Sequence, residues 1–218
     1  MMNIQKITAL TKLKYHYDTF LKTLKDEFKP FLGESNNSPI IAGRLIVLLD
    51  VSSSMHTRDK LSQAQQGSQR FSEEMISAGF LVGIVKFATD AQEILMPTNN
   101  INELHNVINQ LTASGSTNMA DGIRLGMDRL VTFDGRRMLF LVTDGVPDDR
   151  DKALRMAEEA KQLGIEIHTH GTKDADEEFL KKIASVKEIV KTVQDHLLSE
   201  GIQDMARQIR RLPPPRLT

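Results

Sequence analysis

Five oxygen-bearing side chains stand along this chain in an order that invites a common purpose. Residues 44–59 read RLIVLLDVSSSMHTRD: an apolar run halts at Asp50, and Ser52 and Ser54 follow on alternate positions. The loop ASGSTNMADG, residues 113–122, carries Thr117, and the run MLFLVTD, residues 138–144, ends in Asp144 with Gly145 behind it. Two carboxylates and three hydroxyls make an all-oxygen donor set, which suits a hard cation: Mg²⁺ first, with Mn²⁺ or Ca²⁺ as alternatives. Mg²⁺ asks for six ligands at about 2.1 Å and gives up its waters reluctantly. The expected arrangement therefore puts hydroxyls inside and lets at least one carboxylate act through water. An ion held mostly by neutral hydroxyls stays electrophilic, and an Asp or Glu from a partner protein is its natural sixth ligand. The plain competing reading is that Asp50, Ser52 and Ser54 cap a helix beginning near Asp59.

Positioning such groups requires strands that end side by side. From Arg44 onward the pattern alternates strand and helix. Strands are expected at LIVLLD, at FLVGIVKFA (80–88), at MLFLVTD and at IEIHTH (165–170). Several are continuous apolar runs, as expected of strands covered by helices on both faces. AQEILMP, after the Thr89-Asp90 turn, reads as an extra strand antiparallel to its predecessor. Helical periodicity covers about 60–78, 101–111, 119–131, 152–163, 177–184 and 194–210. The result is an α/β chain with a doubly wound, mostly parallel sheet, whose ligands bind beyond the carboxyl ends of the strands. Ahead of it, apolar residues recur at three- and four-residue steps over 4–29, an amphipathic helix ended by Pro30. The expected organisation is an N-terminal helix and linker over 1–39, the α/β domain over 40–211 and a Pro-rich tail over 212–218.

Taken in order, DVSSS, GSTNM and LVTDG resemble the metal-ion-dependent adhesion site of von Willebrand factor A domains. The resemblance runs from about residue 42 to 200 and includes VGIVKFATDAQEI and HGTKDADEEFLKKIAS. It implies a Rossmann-like sheet with one short antiparallel edge strand. It also implies a metal held by Ser52, Ser54 and Thr117 directly or through water, with Asp50 and Asp144 acting mainly through water. Ser53 stands where many members have glycine, and no ligand is lost. By this resemblance the chain is a metal-dependent protein-interaction module whose partner presents an Asp or Glu. Lone domains of this kind accompany AAA+ ATPases, chelatases or stress-response operons.

Composition agrees with an ordinary globular protein of 218 residues: 40% hydrophobic, 26% charged, formal net charge −1 and no cysteine. There is accordingly no thiolate metal site, no disulfide and no Cys nucleophile. Nothing basic points to nucleic acid, and no apolar run approaches the ~20 residues of a membrane span. A cytoplasmic setting is the expectation. Asp148 and Asp149 read as helix caps, His168 and His170 as packed or hydrogen-bonded strand residues, and Met55 and Met119 as either core or apolar rim. An Mg²⁺-dependent phosphotransfer or hydrolytic enzyme using Asp50 is the alternative. It lacks a paired acid beside Asp50, a Walker-type loop, and any His or Lys placed by the motifs as a base.

Overall fold

The computed structural model describes residues 41–212. The expected 4–29 helix, the 33–39 linker and the tail beyond Leu212 lie outside these residues.

Among the described residues six strands form one sheet in the order β3-β2-β1-β4-β5-β6. They are β1 (Gly43–Asp50), β2 (Phe80–Phe87), β3 (Ala91–Thr98), β4 (Arg136–Thr143), β5 (Glu166–Thr172) and β6 (Lys191–Val193). All neighbours pair in parallel except β2 and β3, which are antiparallel. The helices are α1 (Lys60–Ser77), α2 (Ile101–Asn109), α3 (Met119–Leu130), α4 (Arg150–Gln162), α5 (Glu177–Ile183) and α6 (Leu198–Arg211). Among the described residues, no helix is long and apolar enough to cross a membrane.

The continuous apolar run of β1 is explained by its two faces. Leu45, Val47 and Leu49 enter a core formed with α1, α2 and α6, whereas Ile46 and Leu48 enter a second core formed with α3, α4 and α5. All five are fully buried, each contributing roughly 1.5–3 kcal/mol of hydrophobic stabilisation. In the first core the Phe71 and Phe140 rings stack with centroids 4.0 Å apart. There α1 and α6 approach so closely that a β-carbon on Gly67 would lie 2.8 Å from Ile202 Cβ. The opposite layer is set by its caps: Asn118 accepts from the Asp121 amide at the start of α3, and Asp149 from the Lys152 amide at the start of α4.

Two details differ from the sequence expectation. The last helix begins at Leu198 rather than near Gln194, because residues Asp195–Leu197 form a separate 3₁₀ turn. The three-residue β6 carries too little pattern to be legible and exists through its pairing with β5. Met55 and Met119 are both fully buried, one in each core, and form no rim.

His168 and His170 share the β5 face beneath α6. His168 Nε2 meets Glu166 at 3.3 Å. His170 is buried, and neither ring nitrogen has a hydrogen-bond partner. It packs against Gly201, where a β-carbon would come within 2.3 Å of Nε2. Burial, reinforced by the Lys191 charge and only partly opposed by Asp204, pushes its pKa down to about 4. The unfolded chain takes up this proton near pH 6.5 and the folded chain does not until about pH 4. The stabilisation from keeping His170 neutral is therefore complete above pH 6.5 and disappears as pH falls to about 4. We expect urea unfolding to lose on the order of 2–3 kcal/mol more over that interval in the wild type than in His170→Leu. Parallel pH profiles would contradict this.

Candidate functional site

The chain leaves β1 for β2 and β3 on one side, and β4, β5 and β6 extend the sheet on the other. The order reverses between β1 and β4, and a crevice opens there at the strand carboxyl ends. Asp50 closes β1, and Asp144 directly follows Thr143, the last residue of β4. Pairing of the two strands up to Leu49 and Val142 brings these ends together. Asp50 is fully buried and Asp144 is 1% exposed.

The loops bring the hydroxyls to the carboxylates. After Asp50 the chain makes a single 3₁₀ turn over Ser53–His56. It is laced to the Thr117 loop by Ser114 N–H donating to Val51 O (2.8 Å) and Ser53 N–H donating to Gly115 O (3.0 Å). Gly115 adopts φ +82°, and a β-carbon there would sit 2.4 Å from Thr89 Oγ1, so this turn requires glycine. Ser54 Oγ donates to Asp144 Oδ1 at 2.7 Å, and Ser52 Oγ lies 3.0 Å from Ser54 Oγ. Gly145 faces the remaining hydroxyl: a β-carbon on it would lie 3.7 Å from Thr117 Oγ1 and 3.8 Å from Ser54 Oγ. All five expected residues thus border one small space.

The capping reading fails on geometry. The residue preceding α1 is Asp59, in a left-handed conformation, and neither it nor Ser52 makes a side-chain cap bond. Asp148 departs from expectation too. Asp149 caps α4, but both Asp148 carboxylate oxygens accept the Thr117 amide at 3.1 Å, and Asp148 N–H donates to Thr117 O at 3.0 Å. Asp148 therefore clamps the backbone that carries the threonine hydroxyl.

Three further residues were missed by sequence reasoning. Thr143 Oγ1 donates to Asp50 Oδ2 at 2.5 Å, while Ser52 N–H donates to Oδ1 at 2.8 Å. Lys60, in the first turn of α1, is 3% exposed; its Nζ lies 2.7 Å from both Asp144 Oδ2 and Asp174 Oδ2. No lysine was expected at the site. Lys60 and Asp174 match no short motif, and only the folded chain shows that α1 starts above the end of β4 and faces the loop after β5. Burial alone would lower the Lys60 ammonium, but hydrogen bonds and charge from Asp144 and Asp174 outweigh it and hold the group above its usual value. Lys60 is thus a fixed cation and no base.

Chemically, the set matches a hard divalent cation. Among the described residues no three His, Asp or Glu side chains gather at metal-binding spacing, so a cation here must draw on hydroxyls. Ser52, Ser54 and Thr117 supply them beside two carboxylates.

A doubly wound sheet with one antiparallel edge and this strand-end cluster defines a class, and comparison with known proteins identifies it. Residues 45–206 match the von Willebrand factor type A domain model, and the chain belongs to that family. It is 26% identical to a UPF0353 protein of Mycolicibacterium paratuberculosis over 190 residues, 71% of this chain and 56% of the relative. The chain thus spans little more than half of that relative's length. Solved structures with the same fold include the vWF domain of the type V pili tip protein Mfa5 from Porphyromonas gingivalis. Its TM-score is 0.71 at 14% identity, over 82% of this chain and 98% of that one. The manganese-loaded Plasmodium vivax TRAP protein matches with TM-score 0.64 at 15% identity, over 76% of this chain and 74% of the other.

Burial raises the Asp50 pKa to about 6 against the hydrogen bonds from Thr143 and Ser52, with the Asp144 charge adding to the rise. A carboxyl that holds its proton more tightly when folded loses stabilisation as pH rises from 3.8 to about 6. At pH 7 in chelator, Asp50→Asn should therefore be more stable than wild type by on the order of 2 kcal/mol in chemical unfolding. Equal or lower stability would show that the buried charge is not costly.

Proposed function

We propose that this domain is a metal-dependent protein-interaction module, with Ser52, Ser54, Thr117, Asp50 and Asp144 holding Mg²⁺ at the strand ends. The ion's open position takes an Asp or Glu from a partner. The observation that carries this reading is the continuous line from Ser52 through Ser54 to Asp144, beside the second buried carboxylate of Asp50; among the described residues Lys60 is the only cation paired with either of them. The domain then serves as an accessory subunit that recruits or clamps an intracellular assembly of the AAA+ ATPase, chelatase or stress-response type. The family membership and the manganese-loaded state of the TRAP protein support a metal-linked role.

The phosphotransfer alternative is disfavoured by Asp50 itself. Both its oxygens accept hydrogen bonds and it is fully buried, which shields it from a phosphoryl donor in solvent. Lys60, locked between two carboxylates, does not activate Ser52 or Ser54. We therefore read the domain as a binder without catalysis.

Calorimetric titration with Mg²⁺ tests this. Wild type should bind, and an ion at 100 times its Kd should stabilise the fold by about 2.7 kcal/mol. Thr117→Ala and Asp144→Ala should each lower affinity at least about tenfold. Tagged wild type should retain a partner from native lysate in Mg²⁺ and release it in EDTA. Binding of Mg²⁺ unchanged in both variants would place the ion elsewhere and overturn the assignment.

A further inference from the structure

Asp144 divides its two oxygens. Oδ1 accepts from Ser54 on the hydroxyl side, and Oδ2 receives Lys60 Nζ at 2.7 Å on the other. Lys60 in turn reaches Asp174 Oδ2 at 2.7 Å, on the loop following β5. Lys60 is 3% exposed, whereas the Asp174 side chain is 51% exposed and also lies 3.7 Å from Arg58. Water screens Asp174 and the exposed Asp148, but it does not screen the buried charges. Those buried charges are Asp50, Asp144 and Lys60.

Resting on the metal reading above, we propose that Lys60 is the built-in counter-charge of the site. It keeps the loaded site net positive and so commits it to an anionic, carboxylate-bearing ligand. Two carboxylates and one ammonium sum to a single negative charge, and a divalent ion turns this to a single positive one. Without Lys60 the same ion would be neutralised by its own carboxylates, leaving no net attraction for an external anion. The lysine also repels the ion, so the protein gives up metal affinity in exchange for anion affinity. Asp174 sets the strength of this effect from outside: it offsets part of the Lys60 charge while touching none of the five proposed ligands.

This makes opposite predictions for two neighbouring residues. Lys60→Gln keeps a hydrogen-bond donor near Asp144 and removes the charge. Asp174→Asn keeps Lys60 and removes its outer partner. Mn²⁺ alone is titrated into each 218-residue chain and followed by electron paramagnetic resonance. Acetate is then titrated into the loaded protein as a carboxylate probe. Lys60→Gln should bind Mn²⁺ about tenfold tighter and acetate about tenfold more weakly. Asp174→Asn should bind Mn²⁺ several-fold more weakly. Should Lys60→Gln fail to fold, the Asp174→Asn titration decides alone. Mn²⁺ affinity that falls in both variants, or moves in neither, would make Lys60 a structural strut and overturn the inference. Wild type that binds no Mn²⁺ would instead overturn the metal reading on which it rests.

Discussion

Two carboxylates buried side by side at the ends of adjacent parallel strands are the constraint around which this domain is built. Buried like charges are costly, and proteins tolerate them only with donors or counter-ions in place. Here every available device is used. Asp50 takes a backbone amide and the Thr143 hydroxyl. Asp144 takes the Ser54 hydroxyl and the Lys60 ammonium. The rise of the Asp50 pKa to about 6 shows that for this residue the compensation is incomplete. A divalent ion at this position would complete it, and the cost of the buried charge would then be returned as binding energy for the ion.

The scaffold makes this cluster possible. A parallel sheet buried on both faces gives β1 and β4 a rigid register, so their ends stay adjacent, and the Thr143 hydroxyl ties the end of β4 to Asp50. The reversal of strand order between them opens the crevice that a continuous order would have closed with a connecting loop. Around it, the loops after β1, before α3 and after β4 are joined by backbone hydrogen bonds, and Asp148 fixes the Thr117 backbone from below. Lys60 extends the same network to the loop after β5 through Asp174, and Arg58 extends it to Asp195 ahead of α6.

Much of this was legible beforehand because it is local and repetitive. The uninterrupted apolar run of β1 reads as a doubly covered strand, and each of its side chains falls alternately into one of two cores. The antiparallel β3 announced itself through the Thr89-Asp90 turn. The five oxygen-bearing side chains stood out in the sequence because Asp50 ends a strand and the others lie in the short loops next to strand ends or ahead of a helix, where type and spacing carry meaning. Lys60 and Asp174 were not, since a lysine on the first turn of a helix normally reads as solvated and its partners lie 84 and 114 residues away. Asp148 and Asp149 show the same limit at shorter range: both are good cap residues, and only the fold decides that one caps while the other holds Thr117. The three-residue β6 was invisible for a different reason, because so short a segment becomes a strand only through its neighbour.

The most direct test is the anomalous difference map of a crystal soaked in Mn²⁺. The account predicts one strong peak at the ends of β1 and β4, ringed by the hydroxyl oxygens of Ser52, Ser54 and Thr117 with Asp50 and Asp144 close behind. A peak bound elsewhere, or none at this position at saturating Mn²⁺, would contradict it.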